Sequence, residues 1–356
     1  MPKVSLRPSW SISNESGKDL GPEIFTLLEA IRNRGRLTAA AKDMGVSYRH
    51  AWNMVQYWRQ FFGTELISFT QGKGAVLTDV GEKLLWAEQR ASARIGLQLD
   101  SLTSELNLEL NRTLTSSKTA LTIYASYGFA VAYLPELLKA KPDIQVDLRY
   151  LGAVESLSAL SRGDCDLAGF HLPQGDYGKK AVELFSPLLD SNEHKLVHLV
   201  TRTQGLFVAP GNPKNIRTLS DLKDKQIRFI NRQKGSGTRI LFDELLKKNS
   251  LKSADVSGYQ SEEYTHAAVA AYVASGMADA GFGVQPAANQ FNLEFIPLAK
   301  EKYLFAVSKR ATQKREIIEL LNLLKGPEFQ SYVGSLAGYS APNAGQIISI
   351  REGLVA

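Results

Sequence analysis

The 356-residue chain has one cysteine, Cys165, five histidines and four methionines. A single thiol excludes an internal disulfide and a multi-cysteine metal site, and it suits a reducing compartment, where a buried structural thiol is the default. No stretch reaches the roughly 18 consecutive apolar residues of a membrane span. The opening "MPKVSLRPSWSISNESGKD" lacks the apolar core of a secretory signal. HExxH, GxSxG, GxGxxG and GxxxxGK[ST] are all missing, so zinc proteolysis, acyl transfer, dinucleotide binding and P-loop hydrolysis lack their motifs. These absences lead to the expectation of a cytoplasmic protein, outside the membrane, that binds rather than catalyses.

What is present is ordinary in bulk and uneven in place. Hydrophobic residues make up 44% and charged residues 22%, which suits a folded protein. The length favours two or three domains. A formal charge of +6 with a pI near 9.1 favours a polyanionic partner. Between Arg32 and Arg59, six basic residues (Arg32, Arg34, Arg36, Lys42, Arg49 and Arg59) stand against Asp43 alone. That segment reads as helix, turn, helix. Ile24, Leu27, Leu28 and Ile31 share one face before a stop at Gly35, Thr38 is the expected N-cap of the next helix, and Gly45 permits the turn. A further helix starts near Ser47, with Ala51, Trp52, Val55 and Trp58 or Phe62 on its apolar side.

The other face of that helix carries Tyr48, Arg49, His50, Asn53 and Gln56. Arginine pairs with guanine edges and asparagine with adenine, so this face suits the major groove of double-stranded DNA. "LISFTQGKGAVLT" then predicts a hairpin wing around Lys73 that would touch phosphate or the minor groove. Candidate DNA-binding residues are therefore Thr38, Ser47, Tyr48, Arg49, His50, Asn53, Arg59 and Lys73; a solvated bundle with a basic face is the alternative. "TAAAKDMGVSYRHAWNMV" followed by "GKGAVLTDVGEKLL" resembles the winged helix-turn-helix of ModE-type molybdate regulators and, more broadly, of LysR-type regulators.

After the wing, Ala91, Ile95, Leu99, Leu102, Leu106 and Leu110 recur every three or four residues. The pattern predicts a long helix that pairs with a second copy or packs on its own next domain. Pairing would give a homodimer or a dimer of dimers. Boundaries follow: residues 1–80 as an α winged helix-turn-helix, 81–115 as a dimerisation linker helix, and 116–356 as the remaining domain.

From Leu121 onward, short β-branched or apolar runs alternate with amphipathic stretches, an α/β signature. "GFHL", "APGNPKNIRTLSDL", "NRQKGSGTRILFDELL" and "EEYTHAAVAAYVASGMADAGFGV" together resemble the two-lobed, type II periplasmic-binding-protein-like domain attached to molybdate regulators. In "KGSGTR" the glycines allow a sharp turn into a helix N-terminus, whose amides and dipole attract anions. Ser236, Gly237 and Thr238 would supply amides and hydroxyls, and Arg232 or Arg239 charge. Arg239 has a rival partner in Asp243 one turn later. Ser126 and Tyr127, His171, and Thr265 with His266 lie at comparable strand ends and complete the candidate set. His194 and His198 sit in a strand-like run and read as structural, and Asp279 as a turn holder.

The resemblance implies a transcriptional regulator, not an enzyme, that senses a small oxyanion, molybdate or tungstate, without metal or cofactor. The alternatives are a molybdenum–pterin cofactor or small organic acid as effector, or a cofactor-handling module in place of a sensor.

Overall fold

The computed structural model describes residues 4–70, 74–114 and 119–354. Arg7–Ile95 form one compact unit; Gly96–Ala356 together with Met1–Leu6 form the other. The helix α4, defined below, belongs to both.

In the first unit, β1 (Ile12–Ser13) pairs with β2 (Asp19–Leu20), and three helices follow: α1 (Glu23–Arg34), α2 (Leu37–Asp43) and α3 (Tyr48–Phe62). The antiparallel wing β3 (Ile67–Thr70) and β4 (Gly74–Leu77) leads into α4 (Asp79–Leu114). Ile24, Leu27, Leu28 and Ile31 of α1 meet Ala40 and Ala41 of α2 and Ala51, Val55 and Trp58 of α3 in one core. The small alanines allow that close crossing. Gly74 lets the wing approach α1: Ala75 donates to the Gly35 carbonyl at 2.8 Å, and a Cβ on Gly74 would stand 2.1 Å from that oxygen. Thr38 is corrected from its expected place. The N-cap lies two residues earlier, at extended Arg36 with no side-chain bond, because Leu37 is buried and draws the first turn into the core.

The second unit is an α/β domain of two lobes. Its first stretch is β5 (Thr119–Ala125), α5 (Phe129–Ala132), α6 (Leu134–Leu137), β6 (Ile144–Tyr150), α7 (Ala153–Arg162), β7 (Leu167–Pro173) and α8 (Lys179–Phe185). The long β8 (His194–Val208) leads to β9 (Phe229–Arg232), α9 (Gly237–Lys248), β10 (Glu262–Glu263), α10 (His266–Ala274), β11 (Ala280–Val284) and α11 (Gln285–Gln290). The equally long β12 (Glu294–Ser308) returns to α12 (Arg315–Lys325), α13 (Pro327–Ser335), β13 (Tyr339–Ser340), β14 (Ile347–Ile348) and α14 (Ile350–Gly353).

The strand order is β10-β9-β11-β8-β12-β7-β5-β6, with β13 and β14 also on β8. Strands β5, β6 and β7 pair in parallel in one lobe and β9, β10 and β11 in the other; antiparallel β8 and β12 run through both. Period-2 alternation gives each lobe apolar faces on both sides: Leu206 and Val208 enter one core and Phe207 another. The β8–β12 ladder slips between Pro297 and Ala299 and again between Tyr303 and Leu304, so bulges flank Glu301 on both sides.

Strand β6 is a sheet edge, and α4 covers it with side-chain oxygens. Ser104 Oγ accepts from the Leu148 amide at 2.8 Å and Ser101 Oγ from the Tyr150 amide at 2.9 Å, while Gln145 donates to the Asn107 carbonyl at 3.0 Å. Leu108 is buried on the same helix, whereas Ile95 and Leu102 are exposed. Asn107 also holds the N-terminal segment, exchanging bonds of 2.8 and 2.9 Å with Val4. Ser104→Ala leaves the Leu148 N–H without its acceptor and should cost about 1–2 kcal/mol in urea denaturation. An unchanged midpoint would mean that water replaces the hydroxyl.

Candidate functional site

On α3, Ser47 is the N-cap, accepting from the His50 amide at 3.1 Å. Tyr48, Arg49, His50, Asn53 and Arg59 are exposed, as is Thr38. The α3 face free of the core is therefore polar and cationic at its N-terminal end. Not all of the basic segment contributes equally. Arg34 pairs with Asp43 at 2.6 Å and Arg59 with Glu65 at 3.3 Å, and Arg32 lies over the Trp86 ring, 4.7 Å from its centroid. Arg36, Lys42 and Arg49 have no ion pair among the described residues. Phe69 and Val76 are exposed on the wing strands; Lys73 lies outside the described residues.

In the two-lobed domain, polar groups converge where β8 and β12 pass between lobes. Arg202 and Glu301 are directly opposite in register, 2% and 1% exposed, with Arg202 Nε donating to Glu301 Oε1 at 2.5 Å. Gln204 Nε2 donates to the same oxygen at 2.7 Å and contacts Thr238 Oγ1 at 3.4 Å. On the other side of β8, Tyr339 is the register partner of Arg202, whose Nη1 reaches the Tyr339 hydroxyl at 3.4 Å. Arg202, Gln204, Glu301, Tyr303 and Tyr339 were not singled out from sequence. The signal was present: arginine, glutamine and glutamate interrupt apolar strand runs, and such residues are rarely buried without a partner.

The expected ligand residues fall into two groups. His171 lies within β7 with its ring edge-on to Tyr303, centroids 4.3 Å apart, and His266 opens α10 behind the Thr265 cap, which accepts from the Ala268 amide at 2.9 Å. Both imidazoles are buried, and their pKa values lie well below the ordinary 6.5, through burial first and then through Arg202 and Arg232. Arg232 is buried and gives its guanidinium to neutral acceptors, the Gln233 side chain at 3.0 Å and the Tyr264 carbonyl at 2.9 Å. Burial and the neighbouring Arg202 lower its pKa to about 9, with Glu301 opposing. Thr238 joins this group through Gln204.

The second group is turned to internal support. Arg239 Nε meets Asp243 at 3.2 Å, its Nη1 meets the Arg232 carbonyl at 3.1 Å, and its plane stacks on Tyr259 at 4.0 Å. The expectation of a ligand-facing Arg239 is therefore corrected in favour of its Asp243 partner. Ser236 Oγ caps α9 by accepting from the Arg239 amide at 3.2 Å, and Gly235, at φ +86, makes the turn that precedes it. Gly237 is the first residue of α9. Ser126 offers its carbonyl to the Tyr303 hydroxyl at 2.6 Å, and the Tyr127 ring packs against Phe129 and Tyr150. Asp279 holds Arg228, and His194 accepts from the Asp190 amide, as structural residues do.

The cluster thus holds two buried guanidiniums, Arg202 paired with Glu301 and Arg232 opposite the buried Glu263 in the β9–β10 register, with two buried imidazoles around them. Four side-chain atoms there have no hydrogen-bond partner: His171 Nε2, Gln204 Oε1, His266 Nδ1 and Glu301 Oε2. Buried polar atoms are almost always partnered, and a group of them marks a place built for a ligand. Among the described residues no group of three or more His, Cys, Asp or Glu has metal-binding geometry, and no helix is long and apolar enough to cross a membrane.

A family model described as "PBP superfamily domain" matches residues 135–325, more than half of the chain, and one for "Bacterial regulatory helix-turn-helix protein, lysR family" matches residues 23–82. The uncharacterized protein YvgK of Bacillus subtilis is 37% identical over 200 residues, covering 56% of this chain and 64% of its own length. The molybdenum-pterin-binding protein MopB of Rhodobacter capsulatus is 33% identical over 128 residues, 34% of this chain and 47% of that protein. The chain thus spans less than two thirds of either relative. A LysR family regulator structure from Pseudomonas aeruginosa aligns with TM-score 0.44 at 16% identity, covering 85% of this chain and 97% of that one.

The buried imidazoles give an acid sensitivity. Their folded pKa values are depressed, so below about 6.5 the unfolded chain binds more protons and stability falls as pH falls. The urea midpoint should drop between about pH 7 and 5.5, before most carboxylates titrate. The His171→Gln, His266→Gln double variant should show a shallower drop. Since His194 and His198 are also lowered by burial, a residual slope is expected; an unaltered slope would show that the cleft pair does not cause it.

Proposed function

We propose that this chain, which belongs to the PBP superfamily and carries over residues 23–82 a segment matched by the lysR-family helix-turn-helix model, is a cytoplasmic DNA-binding transcriptional regulator, not an enzyme, whose two-lobed domain senses a small oxyanion, molybdate or tungstate. One observation carries the anion reading: the buried guanidiniums of Arg202 and Arg232 stand together, with unpartnered atoms of Gln204, His171 and His266 around them. An anion would take hydrogen bonds from these guanidiniums and from the amides at the start of α9, with no metal required. The molybdenum reading draws support from the sequence resemblance described above and from the printed name of MopB, which binds molybdenum-pterin.

On the DNA side, α3 is the recognition helix, with Arg49 and Asn53 at base edges and Thr38, Ser47, Tyr48, His50, Arg59 and Lys73 around them. Two copies pairing along α4 would set two recognition helices on half-sites about 34 Å apart. The exposed Ile95 and Leu102 suit such a pairing.

Arg49→Ala or Asn53→Ala should each weaken specific operator binding by about 1–3 kcal/mol while leaving the fold intact. Wild-type footprints for both would remove α3 from base reading. Calorimetric titration of the full chain with molybdate, tungstate and sulfate should show binding of the first two. Arg232→Gln should reduce that affinity by about ten- to a hundredfold, the worth of a hydrogen bond to a charged group, and spare effector-free DNA binding. If none of these anions binds, the oxyanion reading fails.

A further inference from the structure

Among the unpartnered atoms of the cleft, Glu301 Oε2 differs in kind. An imidazole nitrogen donates or accepts according to tautomer, and an amide can turn its oxygen for its nitrogen, but a carboxylate oxygen only accepts. The other oxygen of Glu301 receives both Arg202 Nε at 2.5 Å and Gln204 Nε2 at 2.7 Å. Several donors around it already have partners. The Tyr303 hydroxyl donates to the Ser126 carbonyl, Arg202 Nη1 reaches Tyr339, and Arg232 serves Gln233 and the Tyr264 carbonyl. The charged and titratable groups facing this carboxylate are Arg202 from β8, Arg232 following the β9 run, Tyr303 on its own strand and Tyr339 from β13, with His171 and His266 beyond the arginines.

An oxyanion drawn in by the arginines therefore meets, on one side, an oxygen that carries charge of its own sign and cannot donate. Two anionic oxygens come within hydrogen-bond distance only with a proton between them. We propose, resting on the reading of the cleft as an anion site, that Glu301 determines which anions it accepts. A ligand that already carries a donor, such as a protonated oxyanion or a hydroxyl-bearing acid, binds as it is. A fully deprotonated oxyanion binds only with uptake of one proton from solvent, shared between Oε2 and a ligand oxygen.

The test is calorimetry on the full chain at about pH 8, in two buffers of different ionisation heat, with sodium molybdate and sodium phosphate as probes. At that pH molybdate carries no proton and hydrogenphosphate carries one. The expected result is uptake of about one proton with molybdate and none with phosphate; correspondingly, molybdate binding weakens about tenfold from pH 7 to pH 8, as one linked proton requires. In Glu301→Gln the amide supplies an N–H to the ligand, so proton uptake disappears and molybdate affinity at pH 8 rises about tenfold or more relative to wild type. The wild-type pH dependence and proton count stand even if this variant fails to fold. Molybdate binding without proton uptake, or uptake that persists in Glu301→Gln and so belongs to an imidazole, overturns the role of Glu301 and leaves the anion site standing. If neither anion binds, both readings fall.

Discussion

The ion pair between Arg202 and Glu301 is the constraint on which the two-lobed domain turns. Taking a guanidinium and a carboxylate out of water costs several kcal/mol for each ion, and their attraction offsets this only when the remaining donors and acceptors are also satisfied. The pair sits at opposed positions of β8 and β12, the two strands that belong to both lobes. Gln204 and Tyr339 extend it on either side. Arg232 then adds a second cation that has only neutral acceptors. Burial first, and then the neighbouring Arg202, lower the pKa of Arg232.

The placement of the pair also bears on motion. Bulges on both sides of Glu301 interrupt the regular ladder where the strands pass from one lobe to the other. Interrupted ladders bend more readily than continuous ones, and a hinge needs only a few residues that absorb backbone change. The proposed ligand residues come from both lobes: His171 from β7 on one side, and Arg232, Thr238 and His266 from β9, α9 and α10 on the other. A ligand that bridges them favours whichever lobe arrangement brings these groups together, by no more than its difference in affinity for the two arrangements.

The sequence was most legible where the chemistry is local. The turn glycines Gly35 and Gly45, the caps Ser47, Ser236 and Thr265, and the wing were readable because each depends on residues within a turn or two. Thr38 misled, since burial of Leu37 outweighed the preference of threonine for a cap. The "KGSGTR" loop was correctly read as strand, turn and helix start; of the two arginines offered for its charge, Arg239 is taken by the partner four residues on in its own helix. Arg202 and Glu301 lie 99 residues apart. No local pattern joins them; only the antiparallel pairing of two long strands does.

The linker helix shows how little joins a helix to a sheet edge when hydroxyls replace a ladder. Residues three apart on α4 rise about 4.5 Å along its axis, while alternate residues of a strand are about 6.7 Å apart. Ser101 and Ser104 match Tyr150 and Leu148 across that mismatch, but the two spacings diverge too quickly for a long run of such bonds, and the next link, at Asn107, goes to a side chain instead of the β6 backbone. Coverage of the edge protects it from pairing with another chain. The same few bonds tie α4 to β6, which lies two strands from β7 and its His171 in the sheet order. Any displacement of β6 would therefore reach α4 through a small number of hydrogen bonds.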